Sequence, residues 1–399
     1  MGEFSMELND DQAQVLRWVH DFAENVERPA AHEWDEREAT PWPIIEHAAT
    51  IGLYSFDFVA NCFADPTGLL LPLVNEEMAW GDAGIALAIL GSTLGVAGIV
   101  AAGTPEQVAE WAPKCFGQAG DIQLAALCVS EADAGFEAAR FGTRAEYDGR
   151  GDNWTLNGAK TWVTNGGIAD IHVVAASVES ELGARCQANF IVPPKTPGLS
   201  MGRRFDKTGV RASHTAEVIL HDVTLPGACL LGGRDRLDER IARANEVGHP
   251  RSPAAIVTFE ATLPAIAAQA VGIARAAYEY ALDCAKQHRA FERQAVAFKL
   301  ADMRTRTDAA RLLYLRAASM AMTGKPFTAA EGSMARLFAG ETAVWVTEQA
   351  VQILAACGYS RDHPVERWHR DSVAHTSFEG TSEIQRLVIA RAISGTRVH

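Results

Sequence analysis

From Leu263 almost to its end the chain is helical in pattern, and this run most narrowly limits the fold. Apolar residues recur at helical spacing over Leu263–Lys286, Gln294–Met322, Ala329–Ala356 and Ser382–Ile393. Helices of that length need one another to bury their apolar stripes, so a C-terminal four-helix bundle is expected. With 399 residues the chain has room for two or three domains, and it carries no internal repeat.

Upstream the pattern changes twice. Residues 6–120 read as helical: Val15, Trp18, Val19, Phe22 and Val26 share one face of Asp11–Glu27, and Ile44–Ile51 and Glu106–Trp111 read as short helices. Near Asp121 the period shortens. Ile122–Val129, Thr143–Tyr147, Trp154–Leu156, Lys160–Val163, Ile171–Ser177, Phe190–Val192 and Ala216–Leu220 read as strands. Asp148-Gly149, Asn157-Gly158 and Asn165-Gly166 mark turns between them. Leu237–Val247 is charged and amphipathic, and Pro250 and Pro253 then break the chain. The fold class is therefore α+β, with a helical domain over 6–120, a middle β-domain over 121–233 and the bundle over 234–399.

A hydrophobic content of 48% with 22% charged residues is that of a globular protein. The formal charge of −14 and the lack of a basic run argue against nucleic acid or an anionic membrane as partner. Gly84–Gly103 carries no charge, but its glycine density marks a buried core helix and not a membrane span. Seven scattered cysteines without a CxxC pair indicate neither a metal site nor a disulfide framework, and a reducing cytoplasm is the expected location. Residues 1–5 lack the features of a signal peptide and read as a remnant ahead of a native Met6. No GxGxxG turn follows a first strand, so a Rossmann nucleotide fold is not supported.

The chemistry concentrates in Phe378-Glu379-Gly380-Thr381-Ser382-Glu383-Ile384-Gln385-Arg386. Ser382 and Gln385 have capping-box spacing at the mouth of the last helix. Glu379 then projects from a turn one glycine earlier, and Gly380 lets the backbone pass close to a ligand. Burial raises a carboxyl pKa and a helix N-terminus lowers it, so such a carboxylate suits a tunable general base.

This segment resembles the catalytic-base segment of the acyl-CoA dehydrogenase family. Three further segments resemble that family in order and spacing. They are Val129-Ser130-Glu131-Ala132-Asp133-Ala134-Gly135 followed by Lys160-Thr161-Trp162-Val163-Thr164-Asn165, then Phe298-Lys299-Leu300-Ala301-Asp302-Met303, then Gln352-Ile353-Leu354 with Gly358-Tyr359. The resemblance covers most of the chain. It implies FAD between the β-domain and the bundle, an oligomer, an acyl-CoA or acyl-carrier thioester as substrate, and an electron-accepting flavoprotein as partner. Glu379 would take the α-proton and the flavin the β-hydrogen as hydride, leaving a 2,3-enoyl thioester. Val129, Ser130, Trp162 and Thr164 would lie at the flavin ring. Gln352, Thr381 and Glu383 match other cofactor contacts, and Phe136, Glu260 and Gly380 fall on the substrate side. No metal is implied.

The sequence also departs from the family. The Arg-x-x-Phe-Gly segment that reaches a neighbouring subunit's flavin pyrophosphate is shortened to His288-Arg289-Ala290-Phe291-Glu292, and Ala355-Ala356 replaces paired glycines. Leu263 stands where relatives carry an arginine near the CoA arm, and Gly135-Phe136-Glu137 replaces Gly-Ser-Asp. Flavin bound weakly, or completed by a partner subunit, would suit these losses. So would a flavin-poor thioester lyase or hydrolase, or a subunit of a heteromeric dehydrogenase.

Overall fold

The computed structural model describes residues 6–132, 141–178, 186–246, 254–323, 325, 327–378 and 380–396, with the side chains of 243–246 and 254–262 outside the description. The N-terminal helices are α1 (Asp10–Phe22), α2 (Arg28–Arg37), α3 (Trp42–Thr50), α4 (Phe56–Ala64), α5 (Leu70–Gly81), α6 (Ala83–Leu90), α7 (Ser92–Ala102) and α8 (Pro105–Trp111). Asn9 and Gln12 cap α1 reciprocally, at 2.8 and 2.9 Å. The helix expected to end at Glu27 instead passes through one π-helical turn, Ala23–Glu27, straight into α2.

Gly84–Gly103 is not one helix. It breaks between α6 and α7 with a bend of 43°, and no single helix among the described residues is long and apolar enough to cross a membrane. Its glycines serve close packing. A Cβ on Gly91 would meet Thr164 Cγ2 at 3.1 Å, and one on Gly95 would meet Ala125 Cβ at 2.7 Å. The bent pair is thus seated against the middle domain.

A small hairpin, β1 (Gly117–Gln118) and β2 (Asp121–Ile122), leads into a seven-stranded sheet. Its members are β3 (Ala125–Cys128), β4 (Arg144–Asp148), β5 (Asn153–Thr164), β6 (Ile171–Ser177), β7 (Gln187–Val192), β8 (Leu199–Arg204) and β9 (Thr215–Pro226). The spatial order is β3-β6-β4-β5-β9-β8, with β7 on β6. Trp154–Leu156 and Lys160–Val163, expected as two strands, are one. Asn157-Gly158 is a bulge in β5 and not a turn, because Gly158 lies against Thr143, where a Cβ would sit 2.6 Å from its Cα. Strand β8, with four of its six residues exposed, carried no apolar alternation and was not expected. Trp154, Leu156, Phe190, Val218 and Leu220 form the β-domain core, to which α9 (Gly233–Glu246) adds Leu237.

The last domain holds α10 (Ala254–Gln287), α11 (Gln294–Met322), α12 (Glu331–Leu354), α13 (Val365–Ala374) and α14 (Ser382–Ser394). Helices α10 and α12 pack through small residues, Ala267, Ala270, Ala274, Ala277 and Ala281 against Ala335, Ala339, Ala343 and Ala350, all buried. Their spacing of three and four residues puts each set on one face. Glu76 of α5, fully buried, takes Arg275 of α10 and Arg311 and Tyr314 of α11 as partners, tying the first domain to the bundle.

Two expectations at helix ends are corrected. Helix α12 stops at Leu354 instead of running through Ala355-Ala356, because Ala355 takes φ 53° and ψ −121°, a conformation glycine adopts freely and alanine does not. Ser382 is not a cap. Thr381 holds the cap position without a side-chain bond, and the Gln385 amide reaches back to the Gly380 carbonyl at 3.4 Å.

Candidate active site

Strand β5 ends in a distortion that turns one ring outward. Its register with β9 shifts between Lys160 and Val163, and Trp162 takes a left-handed φ of 57°. That conformation costs a bulky residue about 1–2 kcal/mol, and the surrounding bonds enforce it. Thr161 N donates to Ser130 O at 2.9 Å. Lys160, fully buried, donates to Val129 O at 3.1 Å and to Glu131 Oε1 at 2.7 Å, over the Phe141 ring. The result is an indole 59% exposed, stacked on Phe205 at 4.0 Å. Burial pushes the Lys160 pKa down to about 8 against the pull of Glu131. Burial also opposes the Glu131 charge, but Lys160, Thr143 and Gly142 hold its pKa below the usual value.

One residue beyond the distortion, Thr164 is buried where α6 breaks into α7. Asn165, also left-handed at φ 59°, donates its side-chain amide to Ala125 O at 3.2 Å and its backbone N–H to His214 O at 3.0 Å. The loop 206–214 closes over this corner. His214 Nε2 meets Gly166 O at 3.0 Å, and Lys207 reaches Ser213 O and Thr215 Oγ1. Ser213 Oγ is buried without a hydrogen-bond partner, a polar atom pointing to something the chain itself does not supply.

The same loop grips α13. Gly209 lies so close to Arg370 that a Cβ would sit 2.3 Å from its carbonyl, and Val210 N donates to Asp371 Oδ1 at 2.6 Å. Arg370 clamps Asp35 of α2 at 2.6 and 3.0 Å. A single loop thus joins the end of β5 to the helix that leads into residue 379.

Asp371 is buried beside Asp82, and burial first, then that carboxylate, raises its pKa to about 7. An unfolded aspartate loses its proton near about 3.9. Between those values the folded chain holds the extra proton, so this group's contribution to stability falls as pH rises from about 4 to 7. Asp371→Asn keeps an acceptor for Val210 and has no proton to lose. Its stability relative to the parent is expected to improve from pH 5 to pH 8 in thermal unfolding. An equal difference at both pH values would contradict the assignment.

The remaining expected residues are dispersed. Glu379 and Phe136 lie outside the described residues, and Glu260 lies within α10 with its side chain undescribed. Gly380 takes φ 93°, open to glycine alone, in the turn before α14. Glu383 is exposed in the first turn, where backbone N–H groups and Thr381 lower its pKa. Gln352 is exposed at the end of α12, bonded to Lys299 and Glu348 and to no residue of the β5 corner. Arg289 is paired on the surface with Glu292. Leu263 is buried. A cavity of about 670 Å³ lies elsewhere, between α2 and the start of α13, lined by Arg28, His32, Glu36 and Arg367 among others. Among the described residues no group of three or more His, Cys, Asp or Glu could hold a metal ion. Ser213, His214 and Asp371 were not foreseen, and Lys160 and Asn165 stood in an expected segment without a role of their own. A lysine in an otherwise inward-facing strand position was the one local signal among them.

Comparison with known proteins places this geometry in context. The family descriptions "Acyl-CoA dehydrogenase, N-terminal domain", "middle domain" and "C-terminal domain" match residues 9–118, 126–223 and 253–394. The short-chain specific acyl-CoA dehydrogenase of Bos taurus mitochondria is 36% identical over 395 residues, covering 97% of this chain and 90% of the relative. The structure is similar to butyryl-CoA dehydrogenase from Megasphaera elsdenii, with TM-score 0.86, 31% identity and coverage of 98% and 100%. It is also similar to the prolyl acyl carrier protein oxidase AnaB, with TM-score 0.84, 26% identity and coverage of 97% and 100%.

Proposed function

This chain belongs to the acyl-CoA dehydrogenase family, whose members are FAD-dependent oxidoreductases, and from that premise we propose that it introduces a 2,3-double bond into an acyl thioester. The observation that carries the reading is the loop 206–214, which ties Asn165 and Gly166, just beyond the exposed Trp162 and buried Thr164, to Asp371 of α13, the helix that precedes the Glu379 segment in the chain. The ring end of the site fits FAD: an exposed indole on an enforced bulge, and the buried, unsatisfied Ser213 hydroxyl. Trp162, Thr164, Val129 and Ser130 would hold the ring, with Thr381 and Glu383 beyond it. When bound, FAD supplies the acceptor for the β-hydrogen.

The chain's own residues do the rest. Glu379 removes the α-proton. Lys160, paired with Glu131, fixes the Val129 carbonyl and Thr161 N–H fixes that of Ser130, and by analogy with the family the N–H of residue 379 would steady the developing charge on the thioester oxygen. The thioester is carried by CoA or by a carrier protein, as in the name of the AnaB relative, and electrons leave to an acceptor flavoprotein. Seven free cysteines suit a reducing cytoplasm, although the bovine relative is mitochondrial. The test is the visible spectrum of the purified protein. A yellow protein that bleaches with acyl-CoA is expected. A colourless one that still turns over a thioester would favour a lyase or hydrolase, and a colourless inert one that restores a paralogue would favour a heteromeric subunit.

Assembly follows from the bundle surface. Phe291, Phe298 and Tyr359 are 45%, 60% and 91% exposed near the ends of α10, α11 and α12. Such rings together mark a contact surface. Light scattering at micromolar concentration is expected to give an oligomer, a tetramer of the 43.0 kDa chain as is typical of the family. A clean monomer would contradict it.

A further inference from the structure

Helix α13 ends at Ala374, and the N–H groups of the following turn, His375–Phe378, take the carbonyls of Ser372, Val373 and Ala374. Two of that turn's own carbonyls are then met by Arg336 of α12. It is 1% exposed, and its two terminal nitrogens donate to His375 O and Phe378 O, the carbonyls of the turn before residue 379. One turn along α12, Gly340 faces the same place: a Cβ there would lie 2.4 Å from His375 O and 2.8 Å from Arg336 Nη1. Two positions on one helix face are thus shaped to a single backbone turn. A guanidinium holds its two acceptors on separate nitrogens of one rigid plane and so fixes their relative placement, which the single rotatable nitrogen of an ammonium does not.

We infer that Arg336 is a positioning residue for the base-bearing turn, holding the carbonyls of His375 and Phe378 immediately ahead of the base in the chain. The inference rests on Glu379 being the base. The grip has a geometric part and an electrostatic part. The guanidinium ends on the carbonyl directly preceding residue 379, so its charge favours an ionised carboxylate there. Other charges on the elements around the turn are already engaged or excluded. Glu341 of α12 pairs with Arg386 of α14, Asp371 of α13 accepts from Val210, and Glu383 of α14 is exposed. The His375 imidazole, buried and next to Arg336, has its pKa pushed down to about 3 and stays neutral.

Three variants separate the two parts. Arg336→Lys keeps the charge and loses the fork. Arg336→Met loses both. Gly340→Ala crowds the same carbonyl and leaves the charge alone. The readout is exchange of the α-hydrogens of butyryl-CoA with deuterium, followed by NMR across pH, with kcat and KM measured alongside. All three variants are expected to slow exchange by about tenfold or more at the high-pH plateau, with KM within about twofold of the parent. Only Arg336→Met should move the acid limb, upward by about one pH unit, because an ionised base loses its cation. A parental rate and limb in Arg336→Met would overturn the inference, as would an equal limb shift in Gly340→Ala. Should the methionine variant not fold, the lysine and alanine variants must still slow exchange, and parental rates in both would overturn it. Glu379→Gln in the same assay keeps the premise separate. A parental exchange rate there removes the base itself, whereas a dead Glu379→Gln beside an unaffected Arg336→Met rejects only the grip.

Discussion

Glu379→Gln is expected to lower kcat by at least about two orders of magnitude, the scale of a lost general base. Glutamine keeps the shape and hydrogen-bonding reach of the side chain but has no basic lone pair to take the α-proton. The surroundings give little scope for rescue. Gly380 at φ 93° fixes the direction in which the chain leaves the turn, and Ser382 N, donating to Thr376 O at 3.0 Å, closes it from the other side. His375, an alternative base in the described turn, is buried and its pKa is pushed down to about 3, so it binds a proton too weakly to replace a carboxylate. The measurement is kcat on the acyl thioester the parent turns over fastest. A loss under about tenfold would take Glu379 out of this role. The same variant should bind substrate with nearly unchanged KM, because the amide still fills the site.

The parts of this molecule legible in the sequence are those whose information is local. The long helices were legible because an apolar stripe repeats over many turns, and Gln294–Met322 matches α11 at both ends. The family was legible because its signatures occupy short contiguous segments. What escaped depends on distant partners. Asn157-Gly158 has the composition of a hairpin turn, yet Thr143 and β9 hold it in a strand as a bulge. Ser382 and Gln385 have capping spacing, yet Thr381 takes the cap position and Gln385 turns to Gly380. Arg336 reads as one polar residue on a helix, and only the fold brings it to carbonyls 39 and 42 positions away. The loop 206–214 likewise gains its role from joining Gly166 to Asp371, a relation with no counterpart in spacing. In each case local preference was real and tertiary contact outweighed it.

FAD is expected to bind this chain alone more weakly than it binds a typical relative. The pyrophosphate of FAD is dianionic and needs charged or backbone N–H donors. By the family resemblance, the arginine that relatives lend to a neighbouring subunit would be displaced by the shortened segment after α10. In its vicinity Arg289 is left-handed, at φ 54°, and paired with Glu292, so its charge is already engaged. At the end of α12 the structure refines the expectation. The backbone of Ala355 keeps a glycine-like conformation, φ 53° and ψ −121°, so the shape of the turn survives and the added methyl is what differs. That methyl strains the chain by about 1 kcal/mol, and by the family resemblance it would stand where bare backbone meets the cofactor. Each lost charge-assisted bond weakens binding by roughly 1.5–3 kcal/mol, so the two defects together lower affinity by orders of magnitude. Changing Ala355 and Ala356 both to Gly should therefore do two separable things. Ala355→Gly alone should raise stability in denaturant by about 1 kcal/mol, since it relieves a backbone strain present without any cofactor. The pair should tighten FAD, read by flavin fluorescence in a titration of the apo-protein, while leaving the missing arginine uncorrected. Affinity should therefore recover only in part, and an added paralogue carrying the arginine should recover the rest. Tight stoichiometric binding by the unmodified chain alone would sink the half-site argument. A gain in stability without any gain in affinity would leave the strain at Ala355 real but remove it from the cofactor's path.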